Sequence, residues 1–138
     1  MTDSSRPLNA NAARLRRLFA APAPIVIAGA HNGLSARIVE QAGFDGVWAS
    51  GFEISASYGV PDASILTMTE MLDVTRAITD AVSIPVIADC DTGYGELAAV
   101  RRTVREMEAA GAAAIRRLRT IDALRRSRNT AADHPLLR

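Results

Sequence analysis

Residues 83–95 read Ser-Ile-Pro-Val-Ile-Ala-Asp-Cys-Asp-Thr-Gly-Tyr-Gly, and this segment gives the clearest indication of the fold class. Its apolar run shows no alternation, which is typical of a parallel strand covered on both faces. Asp89 and Asp91 follow two residues apart, so a continuing strand would place both side chains on one face. Carboxylate oxygens that converge in this way suit Mg²⁺. The structural alternative is that one aspartate caps the next helix and the other is solvated.

The same order of apolar run, turn and helix repeats along the chain. Apolar runs predict four strands, at 25–28, 44–49, 85–88 and 112–115. Apolar residues at helical spacing predict helices at 9–21, 34–42, 67–82 and 96–110. Residues 53–61 fit a loop with one helical turn. Short connections between these elements predict right-handed β/α crossovers and a parallel sheet, either doubly wound or half of an eight-stranded barrel.

Composition and charge limit the class of protein. The 138 residues are 49% hydrophobic and 22% charged, which is enough for one domain with a core. A net charge of +1 argues against nucleic-acid and membrane partners, and no apolar run is long enough to span a bilayer. The single cysteine, Cys90, cannot form an internal disulfide, so we expect a reducing cytoplasm and assign Cys90 to packing. We predict a disordered N-terminus at 1–8, a β/α domain at 9–115 and an arginine-rich tail at 116–138.

Three motifs at successive strand ends together resemble one known family. They are Gly-Ala-His-Asn-Gly-Leu-Ser-Ala at 29–36, Trp-Ala-Ser-Gly at 48–51 with Gly-Val-Pro-Asp at 59–62, and Asp-Cys-Asp-Thr-Gly-Tyr-Gly at 89–95. The combination is similar to the phosphoenolpyruvate mutase and isocitrate lyase superfamily, and most closely to its phosphoenolpyruvate mutase and phosphonopyruvate hydrolase branch. This resemblance implies the N-terminal half of a (β/α)8 barrel with its site at the carboxyl ends of the strands.

The resemblance also implies a Mg²⁺ site. Members of the superfamily cleave or form a P–C or C–C bond beside the carbonyl of a small 2-oxo acid, with Mg²⁺ bound. By similarity, Asp89 is the metal ligand, while Asp91 and Asp62 hold its waters, and Asp62 is among the implied catalytic residues. The chemistry is compatible with these roles, because a metal ion acts as a Lewis acid on the developing enolate.

Substrate contacts are implied at the end of the second strand. By similarity, the Ser50 hydroxyl and the amides of Gly51 and Phe52 receive the carboxylate and oxo group, and Trp48 forms a wall of the pocket. Ser50 and Trp48 are therefore also implied catalytic residues. Amides in a glycine-containing turn approach an anion closely and need no reorganisation. The alternatives are an ordinary turn at 50–51 and a Trp48 that only fills the core.

Residues 116–138 depart from the family pattern. Members continue from the fourth strand into a Glu-Asp pair and a Pro-Lys loop, whereas this chain has arginines at 116, 117, 119, 125, 126 and 128. We hypothesise a change of reading frame, because shifted codons for 118–120 can read Glu-Asp and those for 124–126 can read Pro-Lys, with a spacing one residue too long. Without the last four strands we expect open edges, homo-oligomerisation and no turnover by this chain alone.

Three functions remain open on this sequence. The leading one is a truncated Mg²⁺-dependent enzyme acting on phosphonopyruvate or phosphoenolpyruvate, with an isocitrate or methylisocitrate lyase or an oxaloacetate decarboxylase as the alternative branch. A function of another class is a small α/β module that binds phosphate, or RNA through its arginines. An inactive fragment of the enzyme would share every feature of its first half.

Overall fold

The computed structural model describes residues 9–117, which form four strands and five helices. The strands are β1 (Ile27–Ala30), β2 (Gly46–Ala49), β3 (Val86–Asp89) and β4 (Ala114–Arg116). The helices are α1 (Ala10–Ala20), α2 (Gly33–Gln41), α3 (Gly51–Ser57), α4 (Met68–Ala81) and α5 (Leu97–Ala109). Within these residues no helix has the length and hydropathy needed to cross a bilayer. The predicted alternation of strands and helices is confirmed.

The four strands form one parallel sheet in the order β1-β2-β3-β4. A doubly wound sheet would reverse its strand order at a switch point, where its ligand site would lie. The order here follows the chain without a reversal, as it does around a barrel. The fold is therefore the first half of a (β/α)8 arrangement, and the two alternatives left open by the sequence are resolved.

The helices cover one face of the sheet. Val47 and Val86 point to that side and pack with Ile78 of α4 in a fully buried cluster. Side chains on the opposite face, which we call the inner face, are only partly buried, and Trp48 and Asp89 are among them. The sequence predicted strands that are covered on both faces. Within residues 9–117, only the helix side of the sheet is covered, and the inner face is not.

Helix α1 closes the end of the sheet where the strands begin. The Asn9 side chain caps α1 and also donates to the Ala112 carbonyl at 3.0 Å. Arg14 donates to the Ser83 carbonyl at 2.8 Å, just before β3. These contacts tie α1 to the segments that enter β3 and β4. The carboxyl ends of the strands, where ligands bind in such folds, are at the other end.

Several predicted boundaries shift by one or two residues. β1 begins two residues later than predicted because its pairing with β2 runs from Ile27 to Ala30. The segment predicted as a loop with one turn contains helix α3. Strand β4 extends to Arg116, one residue beyond the predicted domain, because Arg116 stays in register with Asp89. The predicted disorder at 1–8 lies outside the described residues, and so does the tail from Arg116, with its reading-frame hypothesis, beyond residue 117.

Candidate active site

The turn after β2 meets the carboxylate after β3. Ser50 caps α3, which begins at Gly51, and Asp89 is the last residue of β3. A Cβ on Gly51 would lie only 3.3 Å from Oδ2 of Asp89. The Asp89 carboxylate therefore lies directly against the first turn of α3. Glycine at position 51 leaves space for this carboxylate, because any side chain there would crowd it. The segments that follow β2 and β3, which carry the implied substrate and metal contacts, are therefore adjacent.

The first turn of α3 offers hydrogen-bond donors to an anion. Oγ of Ser50 accepts a hydrogen bond from the Glu53 amide at 3.3 Å, which uses one of its two lone pairs and leaves its proton available for donation. Within residues 9–117, the amides of Gly51 and Phe52 donate to no protein acceptor. Ser50 is 7% exposed, whereas the Phe52 side chain is 63% exposed, so Phe52 contributes its backbone here. Fixed amides in such a turn can receive a carboxylate.

A turn, and not strand alternation as predicted, places Asp91 at the site. β3 ends at Asp89, and Asp91 lies in a turn with a left-handed backbone, at φ +43°, so strand alternation does not orient its side chain. Its amide instead donates to Oδ1 of Asp89 at 3.3 Å. Its carboxyl accepts a hydrogen bond from the Ser64 hydroxyl and lies close enough to Asp62 and Asp89 for mutual repulsion. The charges of the three predicted acids therefore act on one another, and a turn rather than the strand brings Asp91 next to Asp89.

The crowding of acids changes the ionisation of Asp91. Burial is the main cause that raises its pKa, from 3.8 to about 6, and the charges of Asp62 and Asp89 raise it further. The bond from Ser64 and the charge of Arg116 oppose this shift. The folded state therefore holds a proton on Asp91 more tightly than the unfolded chain does.

We expect Asp91→Asn to flatten the pH dependence of stability. Because the folded pKa is raised, the stability linked to Asp91 is complete below about pH 4 and is lost as pH rises through about 6. The loss is about 1 kcal/mol, less than the full shift implies, because the carboxyl is partly solvated. Asparagine also tolerates the left-handed backbone. In urea unfolding without divalent ions, the free energy of unfolding of the variant should rise relative to that of the parent as pH increases from about 4 to about 6. If both free energies declined equally, the raised pKa would not belong to Asp91.

The donors at this site suit a magnesium ion that keeps several waters. Within residues 9–117, no three His, Cys, Asp or Glu side chains converge closely enough to form a cage of direct ligands. Mg²⁺ does not need such a cage, because proteins often hold it by one or two carboxylates and leave waters in place. Asp89 could be the direct ligand, with Asp62 and Asp91 bonded to waters. These roles remain predictions.

The Tyr94 hydroxyl fits a hydrated ion at the same place. It is a buried group without a hydrogen-bond partner in the described part of the chain. Burial raises the pKa of Tyr94, and the charges of Cys90, Asp91, Asp89 and Asp62 add to the shift. Its backbone is left-handed, at φ +60°, a conformation in which bulky residues are uncommon and often mark functional sites. A bound water would satisfy this hydroxyl.

Cys90 belongs to the core, as predicted. It is fully buried in the cluster that joins β3 to α4 and α5. Burial is the main cause that raises the pKa of its thiol to about 12, with a smaller contribution from the charges of Asp89 and Asp91. A thiol with this pKa is neither a nucleophile nor a metal ligand at neutral pH.

Two residues that were not predicted as part of the site place their charged groups on the inner face. The guanidinium of Arg116 lies 6.0 Å from the ring centroid of Trp48 and 3.7 Å from Oδ2 of Asp89. The carboxylate of Glu53 fills the space over Gly29 that any side chain there would need. Trp48 is therefore half-buried beside the Arg116 guanidinium and is not part of the buried core; its role as a wall of the pocket stays a prediction. Glu53 could have been suspected from its place in the first turn after the predicted motif, whereas Arg116 was assigned to the tail.

We expect Gly51→Ala to weaken divalent ion binding more than it weakens the fold. The added methyl would press on Oδ2 of Asp89 at 3.3 Å and displace the carboxylate by a few tenths of an ångström. Alanine favours a helical position over glycine by up to about 1 kcal/mol, which offsets the strain. Mg²⁺ titration and urea unfolding of the same samples would separate the two effects. Unchanged Mg²⁺ affinity would show that Asp89 does not need its present position.

The chain is similar to known proteins in both sequence and structure. A sequence profile described as phosphoenolpyruvate phosphomutase matches residues 15–116. Phosphonopyruvate hydrolase from Variovorax sp. (strain Pal2) is 57% identical over 99 residues, which are 72% of this chain and 32% of that protein. The 2,3-dimethylmalate lyase of Eubacterium barkeri is 47% identical over 105 residues, covering 75% of this chain and 36% of the lyase. The chain thus spans about a third of the length of these curated relatives.

Solved structures give the same grouping. The crystal structure of phosphoenolpyruvate phosphomutase from Streptomyces platensis subsp. rosaceus superposes with a TM-score of 0.75 at 61% identity, covering 76% of this chain and 37% of that one. A phosphonopyruvate hydrolase complex with oxalate and Mg²⁺ superposes with a TM-score of 0.74 at 50% identity, with the same coverage. The resemblance drawn from the three motifs is confirmed, and so is the half-barrel fold.

Proposed function

Because the chain belongs to the phosphoenolpyruvate phosphomutase family, we propose that it supplies the metal-binding and oxo-acid-binding half of an enzyme that cleaves the P–C bond of phosphonopyruvate. The observation that carries this proposal is the placement of Asp89 against the first amides of α3, which have no acceptor within residues 9–117. A cation held by Asp89 and an anion held by Gly51 and Phe52 would be immediate neighbours. A 2-oxo acid bound to Mg²⁺ presents this combination of charges.

Different residues would bind the oxo group and the carboxylate of the substrate. Bound Mg²⁺ would polarise the oxo group and stabilise negative charge on its oxygen when the P–C bond breaks. Asp89 would ligate that ion, and Asp62 and Asp91 would orient its waters. The Ser50 hydroxyl and the two amides would hold the carboxylate, so that the substrate is fixed at both oxygens. Trp48 would exclude water on one side.

The fate of the phosphoryl group separates the two branches of this chemistry. In a hydrolase, water takes the phosphoryl group, the electrons of the P–C bond pass to the enolate, and a proton converts it into pyruvate. In a mutase, the enolate oxygen receives the phosphoryl group and forms phosphoenolpyruvate. We propose P–C chemistry for this site, because the relatives at 57% and 61% identity have these two names. A C–C lyase is the second candidate, favoured by the 47% identity to the dimethylmalate enzyme.

The proposal is tested by oxalate binding, with Trp48 as the reporter. Trp48 is the only tryptophan of the chain and lies on the inner face, so its fluorescence reports on this site alone. We expect oxalate to change the fluorescence in the presence of Mg²⁺ and not in its absence. Because this chain alone is not expected to turn over substrate, displacement of oxalate by phosphonopyruvate or by 2,3-dimethylmalate would then distinguish P–C from C–C chemistry. Oxalate binding that is indifferent to Mg²⁺ would contradict the proposal.

We also propose that the chain self-associates and acts in the cytoplasm. Within residues 9–117, β1 and β4 each pair with one strand and leave an edge open. On α2, next to the β1 edge, Leu34 and Ile38 are 70% and 58% exposed. Apolar side chains beside an unpaired edge favour association. Light scattering after gel filtration should give a mass above that of one chain, and Leu34→Glu should lower it. The buried thiol of Cys90 is suited to a reducing compartment.

A further inference from the structure

Arg116 lies across the inner face between Asp89 and Trp48. It is paired in register with Asp89, so both side chains leave the same face of the sheet. Nη1 of Arg116 is 3.7 Å from Oδ2 of Asp89, and its Cζ is 6.0 Å from the Trp48 ring centroid. Because Trp48 belongs to β2, the side chain extends from β4 over the whole width of β3. The tryptophan face and the carboxylate together hold the guanidinium over the site.

This position puts a fixed positive charge at the oxygen that a metal ion would use. Oδ2 of Asp89 is the atom that approaches both Arg116 and the first turn of α3. A divalent cation arriving alone must compete with Arg116 for this oxygen and meets its repulsion. At about 4 Å such a repulsion is worth roughly tenfold in binding, even in a well-solvated site.

The same guanidinium favours an anion. Its contacts with other groups are the long ion pair to Asp89 and the ring of Trp48, and the described residues accept no hydrogen bond from its N–H groups. Because its side chain is 37% exposed, N–H donors of Arg116 remain accessible to a ligand on the inner face. A planar guanidinium binds carboxylates and phosphonates through paired hydrogen bonds. An oxo acid that brings negative charge next to Asp89 would therefore meet a ready partner.

We infer that Arg116 couples metal binding to substrate binding, opposing Mg²⁺ alone and stabilising Mg²⁺ together with an oxo-acid anion. This inference rests on the proposed function and adds to it a residue that links its two ligands. Such coupling is reciprocal, so the anion would tighten Mg²⁺ binding by the same factor by which Mg²⁺ tightens the anion. Neither ligand would then occupy the site for long without the other.

The test measures both ligands on the full chain by calorimetry, with Mg²⁺ alone and with oxalate in saturating Mg²⁺. In Arg116→Gln we expect Mg²⁺ alone to bind roughly tenfold more tightly and oxalate roughly tenfold more weakly. Arg116→Lys keeps the charge and should bind Mg²⁺ alone as the parent does. Arg105→Gln removes an exposed charge on α5 and should leave both affinities unchanged.

Opposite shifts for the two ligands are a signature that a merely damaged site would not produce. If Arg116→Gln weakens both ligands, or leaves both unchanged, the inference is wrong while the proposed function stands. If neither the parent nor any Arg116 variant binds Mg²⁺, both the inference and the proposed function are wrong. Should Arg116→Gln fail to fold, as judged by circular dichroism, Arg116→Lys decides instead, because an oxalate affinity below that of the parent is still expected from the loss of paired hydrogen bonds.

Discussion

Asp89→Asn is expected to reduce Mg²⁺ affinity by roughly 100-fold or more and to abolish Mg²⁺-dependent binding of oxalate. Asparagine keeps the size of the side chain and the hydrogen bond from the Asp91 amide to Oδ1. It removes the charge that would attract the ion, and it leaves Arg116 facing the site without its ionic partner. Calorimetry with Mg²⁺ and the fluorescence of Trp48 with oxalate would measure the two losses separately.

The matched control is Asp80→Asn, at an exposed carboxylate on α4. It makes the same change in net charge far from the carboxyl ends of the strands. We expect it to bind both ligands as the parent does, because exposed charges at a distance are screened by salt. If Asp89→Asn binds Mg²⁺ as well as Asp80→Asn does, the carboxylate after β3 is not the metal ligand.

Much of the fold could be predicted because its signals are local. The Thr67 cap of α4 is one example, since the hydroxyl accepts from the Glu70 amide while the Glu70 carboxylate accepts from the Thr67 amide at 2.7 Å. Threonine followed three residues later by glutamate is a pattern that can be read without any tertiary information. The apolar runs of β2 and β3 are local in the same sense. The order of the strands in the sheet has no local signal in the sequence. Only the resemblance to a family predicted the half barrel.

The site was predicted less completely, for two physical reasons. Asp91 was assigned by strand alternation, but the strand had already ended, and a left-handed turn with a bond to Asp89 orients it instead. Such a turn depends on contacts with Ser64 from another loop, which no period in the sequence encodes. Arg116 was assigned to the tail because arginines follow it without an apolar pattern. Its register with Asp89 emerges only when β4 pairs with β3.

Ile78→Ala is expected to destabilise the fold by about 3 kcal/mol, within a range of about 2 to 5. Ile78 on α4 is fully buried and packs with Val47 and Val86, which form the helix side of β2 and β3. Truncation removes buried methyl groups and leaves a cavity that the surrounding strands cannot fill. Urea unfolding without divalent ions would measure the change in the free energy of unfolding.

Val104→Ala on α5 is the control, because that side chain is 42% exposed, lies outside the proposed association surface, and its truncation should change the free energy of unfolding by less than about 0.5 kcal/mol. The packing of α4 also matters for the site, because α4 begins immediately after the loop that places Asp62 and Ser64 beside Asp91. A helix firmly packed on the sheet keeps that loop in position. If both truncations had the same small effect, α4 would not be anchored on β2 and β3, and the loop that brings Asp62 to the acids would lose its support.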